Sequence, residues 1–346
     1  MRPTPAWQST DDGTAALRRV TIERRDLRPD DLAVRVDYCG VCHSDLHRIS
    51  GTFGAGAVVP GHEFTGTVTA VGTAVTGFAP GDRVAVGTVV DSCGACAMCE
   101  AGQENYCYEG ATTTYGGTDR HDGTPTQGGY SREYVLRAAF AYPLPAALDP
   151  AAAAPLMCAG ITMWEPLRAA GIGPGSQVAV AGMGGLGHLG VKLAAALGAH
   201  VTVLSRSADK AADAHKLGAA ELLVSTDEEQ VRRARGRFDL ILDTISAPHD
   251  LSPLLGMAAL DGTLSLLGYP LDTTVRIMDL TYGRKKLSSS GTGGRRRTAE
   301  LLEFCAEHGI AADVETLPSG RVDEALARLG RGDVRYRFVL DLSDLD

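Results

Sequence analysis

Apolar and polar positions alternate through residues 17–38, with Val34 and Val36 facing one way. Alternation of that kind marks a strand with one buried face. Residues 58–86 follow, rich in Gly, Val and Thr and broken by turn signals at Thr76-Gly77 and Pro80-Gly81. Both stretches predict short strands of an all-β region. Near Asp149 the pattern changes. Short apolar runs at 177–181, 200–204, 238–243 and 263–268 now alternate with Ala-rich stretches at 187–197 and 209–217. Unbroken apolar runs suit strands buried on both faces, so this half predicts a parallel sheet with crossover helices. The tail has helical spacing from Thr298 (Leu301, Leu302, Cys305) and ends in a strand over 335–340. Spacing alone leaves open which half the tail closes.

Length and charge narrow the class. A chain of 346 residues exceeds one small core, so two domains are expected. A formal net charge of −9 argues against nucleic-acid binding, which needs basic patches. The dense basic run Arg295-Arg296-Arg297 is expected to be a solvated helix start. The most apolar stretch, 146–161, contains Asp149, Pro150 and Pro155 and cannot span a bilayer, and residues 1–13 lack an apolar leader core. A cytoplasmic protein is expected, with its 8 cysteines as thiols or metal ligands rather than disulfides.

Four of those cysteines, Cys93, Cys96, Cys99 and Cys107, crowd one loop as C-x2-C-x2-C-x7-C. Four thiolates in a short loop suit tetrahedral zinc. A ferredoxin-type cluster would end C-x3-C-P, whereas Tyr108 follows Cys107 here. With all four positions filled by protein, such a metal is structural.

A second set of ligand types is more dispersed. It comprises Cys39-Gly40-Val41-Cys42-His43-Ser44-Asp45-Leu46-His47, then Gly61-His62-Glu63, then Leu156-Met157-Cys158-Ala159-Gly160. Two thiolates and an imidazole make the open Cys2His set of a catalytic zinc. Singly each residue is ordinary: a lone cysteine in an Ala-rich stretch usually packs a core. Cys39 and Cys305 are expected to be such core residues, although Cys39 also forms a C-x2-C with Cys42.

Gly182-Met183-Gly184-Gly185-Leu186-Gly187 follows the expected strand 177–181 and opens a helix. In that context a G-x-G-x-x-G turn lets backbone approach a pyrophosphate and offers it free N–H groups. Binders of NAD usually carry an acid at the end of the second strand. Here Ser205-Arg206-Ser207 stands there, with Lys210 beyond, a set suited to a 2′-phosphate. Asp209 is a mild counter-signal.

Taken together, these motifs resemble the zinc-dependent alcohol dehydrogenases of the medium-chain family. The segments Gly117-Thr118-Asp119, Pro125–Tyr130, Arg284-Lys285-Lys286 and Ser290–Gly294 are similar to the cinnamyl alcohol dehydrogenase branch. The resemblance implies an α/β protein with a GroES-like β-rich catalytic domain (1–154 with 298–346) and a Rossmann doubly wound parallel-sheet cofactor domain (155–297). It implies two zinc ions per chain and NADP(H) as cofactor. Cys42, His62 and Cys158 would bind the catalytic zinc, and Cys93, Cys96, Cys99 and Cys107 the structural one. Glu63 would sit behind the catalytic metal, and Asp45 would orient the His62 ring. Ser44 would take the alcohol proton and His47 pass it to solvent. His43 would lie near the cofactor pyrophosphate and Thr162 beside the nicotinamide, with Gly182, Gly184, Gly185, Leu186 and Gly187 forming the turn. For His43 and His47 the plain alternative is a surface histidine. The expected substrate is an aldehyde or primary alcohol, aromatic or allylic. Two departures bear on that choice: a shorter segment between His47 and His62, and Thr113 where many relatives place Trp, so that Phe53 is a candidate pocket residue. A homodimer paired through the edge of the cofactor sheet is expected, with residues 263–269, Val275 and Ile277 supplying that edge. Two other readings remain open: an iminium or activated-alkene reductase on the same scaffold, and a zinc-stabilised nucleotide-binding redox sensor.

Overall fold

The computed structural model describes every residue except 11–15, 55 and 271–272. The described residues form two compact units, Met1–Cys158 with Gly294–Asp346, and Ala159–Gly293.

The first unit is β-rich. The alternation at 17–38 is two strands, β2 (Leu17–Arg24) and β3 (Asp31–Val41). Sequence reasoning gave no strand before them, yet β1 (Arg2–Ser9) pairs antiparallel with β2. Its sequence, Arg-Pro-Thr-Pro, discourages a strand assignment, but prolines are tolerated in a two-stranded edge ribbon. The remaining strands are β4 (Phe64–Val71), β5 (Arg83–Val86), β6 (Val89–Asp91), β7 (Thr112–Thr113), β8 (Glu133–Arg137) and β9 (Ala141–Pro143), then β16 (Val314–Pro318) and β17 (Arg337–Asp341) from the tail. The main sheet runs β16-β17-β3-β4-β5-β9, with β8 also pairing β3. Leu32, Val34, Val36, Cys39 and Val41 of β3 are buried with Phe64, Val84, Val86, Phe338 and Leu340. The tail thus closes this unit. β17 lies antiparallel to β3 with Phe338 opposite Val41, which sets Arg337 at the end of β3 that leads into Cys42. The basic run opens the helix Arg295–His308, as its charge pattern predicts.

The second unit holds six parallel strands: β10 (Gln177–Ala181), β11 (His200–Ser205), β12 (Glu221–Val224), β13 (Phe238–Asp243), β14 (Ala258–Leu266) and β15 (Lys286–Ser289). Their order is β12-β11-β10-β13-β14-β15, so the chain starts mid-sheet and the winding reverses between β10 and β13. In such sheets ligands bind beyond the carboxyl ends of the strands at the reversal. Helix Gly187–Ala196 follows β10. The helix expected over 209–217 is a 3-10 turn, Ala208–Lys210, then a helix, Ala211–Lys216. One expectation is corrected here. Residues 263–269 are not the sheet edge, because β15 pairs outside β14. β15 reads Lys-Leu-Ser-Ser and is exposed throughout, so no apolar run announced it. Among the described residues, no helix is long and apolar enough to cross a membrane.

Candidate active site

Among the described residues two groups of side chains could hold a metal ion: Cys42 with His62 and Cys158, and the four cysteines of the 93–107 loop. Within each group the donor atoms all lie within 4.8 Å of one another.

The three-donor cluster is assembled by the end of β3. Cys42 is the N-cap of the short helix His43–Ile49. Asp45, fully buried, turns back so that its Oδ2 accepts the Cys42 N–H at 2.9 Å. The same carboxylate accepts the Gly61 N–H (3.1 Å), the Tyr130 hydroxyl (3.1 Å) and His62 Nδ1 (3.3 Å). Four donors fix its position, and Asp45 in turn fixes the His62 ring. With the hydrogen on Nδ1, the Nε2 lone pair faces the cluster, 3.2 Å from Cys158 Sγ. Cys42 Sγ lies 4.0 Å from Cys158 Sγ. The hydrogen bond with Cys158 pulls the Cys42 thiol well below its usual range, against burial and helped by the Arg337 charge. Two cysteine sulfurs beside an imidazole nitrogen are the donor types that zinc selects.

Glu63 follows His62 and is fully buried against Arg337, whose Nη2 donates to Glu63 Oε1. Its other oxygen, Oε2, is buried without a hydrogen-bond partner. Such an orphan acceptor beside three soft donors is what a cation would satisfy. Gly40 makes room for the arrangement, since a Cβ there would stand 2.6 Å from Glu63 Oε1. Sequence reasoning missed Arg337. Its one signal was a guanidinium opening a tail strand that continues with the apolar Phe338, Val339 and Leu340.

Ser44 Oγ lies 3.8 Å from Cys42 Sγ, at the cluster. His47 is one helical turn further, three residues on, which places both on one face. Its ring packs on Phe53 with centroids 4.9 Å apart. Phe53 is partly exposed, so it meets His47 while remaining open to solvent. His43 is exposed on the same helix. The Tyr115 ring centroid lies 5.6 Å from that of His62, a neighbour the sequence did not reveal. Thr113 donates its hydroxyl to the Tyr115 carbonyl at 2.9 Å.

In the four-cysteine loop, Sγ separations of 3.8 Å (Cys93 to Cys99) and 3.6 Å (Cys96 to Cys99) are close to the edge of a zinc–thiolate tetrahedron, about 3.8 Å for bonds of about 2.3 Å. Backbone N–H groups of Cys96, Cys93 and Tyr108 point at Cys93, Cys107 and Cys96 sulfurs. The Tyr108 and Cys99 N–H groups bring the Cys96 thiol down to about 6.

In the second unit, β10 runs into Gly182, whose φ of +88° only glycine adopts readily. A Cβ at Gly182 would stand 2.7 Å from Thr244 Oγ1, and one at Gly187 would stand 2.1 Å from the Gly182 carbonyl. Gly184 is exposed with nothing near its Cβ direction, which leaves backbone open to a ligand. Gly185 and Leu186 are half-buried at the helix start. At the end of β11, Ser205 is half-buried while Arg206, Ser207 and Lys210 are exposed. Ser207 Oγ donates to Asp209 Oδ2 at 3.2 Å, so the acid is taken up locally. Thr162 is buried and donates its hydroxyl to the Gly291 carbonyl at 2.9 Å.

Comparison with known proteins adds to this geometry. Residues 28–146 match the alcohol dehydrogenase GroES-like domain, and residues 185–307 match the zinc-binding dehydrogenase domain. The chain is similar to NADP-dependent alcohol dehydrogenase C of Mycobacterium bovis, with 46% identity over 335 residues covering 96% of each chain. It is also similar to aldehyde reductase YahK of Escherichia coli, with 44% identity over 331 residues covering 94% of each. Among solved structures, a cinnamyl alcohol dehydrogenase from Sorghum bicolor superposes with a TM-score of 0.95 at 38% identity, covering 100% of this chain and 99% of that one.

Proposed function

Because the chain belongs to the zinc-binding alcohol dehydrogenase family, we propose that it reduces an aldehyde, aromatic or allylic, to the primary alcohol and runs the reverse oxidation, using NADPH and zinc at Cys42, His62 and Cys158. The observation that carries this reading is the convergence of those three donor atoms within 4.8 Å around an imidazole locked by Asp45. Bound there, zinc supplies a Lewis acid for the carbonyl oxygen, and the nicotinamide supplies the hydride.

The protein's own groups do the rest. Cys42 and Cys158 hold the metal as thiolates, and Asp45 keeps the His62 lone pair aimed at it. Glu63, pinned by Arg337, keeps its free oxygen behind the donors. Ser44 gives a proton to the substrate oxygen during reduction, and His47, one turn on, refills it from solvent. The turn of Gly182, Gly184, Gly185, Leu186 and Gly187 seats the pyrophosphate, with His43 nearby. Ser205, Arg206, Ser207 and Lys210 take the 2′-phosphate, and Thr162 stands beside the nicotinamide. The first unit is then the catalytic domain, with a second zinc at Cys93, Cys96, Cys99 and Cys107 for structure, and the second unit is the dinucleotide domain. A cytoplasmic setting suits two centres that need their cysteines as thiolates. A homodimer is supported by the exposed Leu260, Ile277, Met278, Tyr282 and Leu287, which lie on or between β14 and the open edge strand β15.

The test is a zinc assay together with an aldehyde panel followed by NADPH oxidation. Two zinc ions per chain and turnover of an aldehyde support the reading. One zinc per chain, or no aldehyde reduced, would overturn it.

A further inference from the structure

Asp243 ends β13 with its side chain buried, and His249 returns to it, Nε2 lying 3.0 Å from Asp243 Oδ2. The other ring nitrogen, Nδ1, lies 2.9 Å from the carbonyl oxygen of Ala247. A carbonyl oxygen can only accept, so Nδ1 must carry its hydrogen. In a neutral imidazole Nε2 would then present a bare lone pair to a carboxylate oxygen. That contact is a hydrogen bond only when one further proton stands between the two groups. Burial pushes the Asp243 carboxyl up, while Oδ1 accepts the Ile245 N–H at 3.0 Å, which works the other way.

The pair is placed where it can act on the dinucleotide turn. Asp243 is the register partner of Ala181, the residue before Gly182. Thr244 donates its N–H (2.9 Å) and its hydroxyl (2.8 Å) to the Ala181 carbonyl, and its hydroxyl oxygen is what a Cβ at Gly182 would meet. Residues 243–247 therefore wall one side of the glycine turn, and His249 grips that wall at both ends.

We propose that His249 is a positioning residue for the dinucleotide, which clamps Asp243 and Ala247 through a proton shared with Asp243 and so holds the wall of the Gly182–Gly187 turn. The inference rests on the reading that this turn binds NADPH. Other charged groups near the ring are Asp250, next in the chain, with Arg276 and Asp279 beyond it. The Ser252 N–H holds the Asp250 carboxyl low, so Asp250 keeps its charge at neutral and alkaline pH.

The experiment measures the dissociation constant for NADPH on the zinc-loaded protein by nicotinamide fluorescence. Wild type, His249→Leu and His249→Gln are compared. His249→Leu should raise the constant about three- to tenfold, the range one hydrogen bond is worth. His249→Gln, which keeps one donor, should fall between. Equal loss in His249→Leu and His249→Gln would mean inert packing and would overturn the proposal, as would no gap at all. A wild type that fails to bind NADPH at any pH would overturn both this inference and the reading it rests on.

Discussion

Glu63 and Arg337, 274 residues apart in sequence, meet as a buried ion pair behind the three-donor cluster, with side-chain exposures of 0% and 2%. Burial disfavours both charges, and the guanidinium keeps its proton because the Glu63 carboxylate faces it. The pair fixes one Glu63 oxygen and leaves the other free.

Arg337→Leu should therefore leave a carboxyl buried without its partner. Removing one member of such a pair costs about 3–5 kcal/mol. Urea unfolding should show a loss of that order, and zinc analysis should show weaker retention at the cluster. Stability and zinc content both equal to wild type would refute the role given to Arg337.

The two metal centres should separate by mutation. Cys158→Ser changes only the open cluster, so activity should vanish while the circular dichroism spectrum and one zinc per chain persist. Cys99→Ser breaks the closed loop, so solubility or melting temperature should fall. An active Cys158→Ser protein would sink the assignment of the catalytic metal.

Cofactor choice should rest on Arg206. Arg206→Ala should raise KM for NADPH and leave KM for NADH nearly unchanged, because the role proposed for the guanidinium is to meet the 2′-phosphate, which NADH lacks. Steady-state kinetics with both cofactors decide the matter, and an equal loss for the two would show that Arg206 does not read the phosphate.

Proton delivery should be slowed, not stopped, by changes in the helix His43–Ile49. Loss of a positioned acid or base commonly costs about 10²- to 10⁴-fold. Ser44→Ala should fall within that range, since Ser44 lies at the cluster. His47→Gln should cost less, because water can replace it, and should flatten the pH profile of aldehyde reduction. Wild-type rate and an unchanged profile in His47→Gln would return it to an ordinary surface histidine.

Acid stability should depend on Asp119. Its oxygens accept Arg28 Nη1 at 2.9 Å and Nη2 at 3.0 Å, and the His121 N–H at 2.8 Å. Burial pushes this carboxyl up, but those bonds prevail and hold it at about 2. A carboxyl lowered by folding stabilises the fold above its unfolded value of about 3.9, and that contribution is lost as pH falls below it. Asp119→Asn should be less stable at neutral pH by about 2 kcal/mol, discounted for partial exposure, with a flatter acid limb. Melting temperatures at stepped pH test this; parallel acid limbs in both proteins would count against it.

Much of the site was legible because its chemistry is packed into short motifs. Cys42 through His47 sit on one strand end and one helix turn, and the four-cysteine loop is local. Gly182 to Gly187 follow their strand directly. What escaped was long-range or compositionally quiet. Arg337 reaches Glu63 only through the pairing of β17 with β3, which no local pattern encodes. Tyr130 lay within a noted motif, but its hydroxyl bond to Asp45 depends on how two distant loops meet. β1 was hidden by its prolines. β15 was hidden by its polarity, and with it the true edge of the sheet.

The split of the first unit has a consequence for synthesis. Its central strand, β3, emerges from the ribosome early, yet the neighbour β17 that brings Arg337 is made only after the entire second unit. Domains generally fold as they are completed during translation. Here the later-made unit can finish first, while Glu63 and the thiols of Cys42 and Cys158 wait for a lateral strand that is still being translated. A nascent chain stalled before β17 would hold a finished second unit and an unclosed sheet, a form open to thiol oxidation and to chaperone capture.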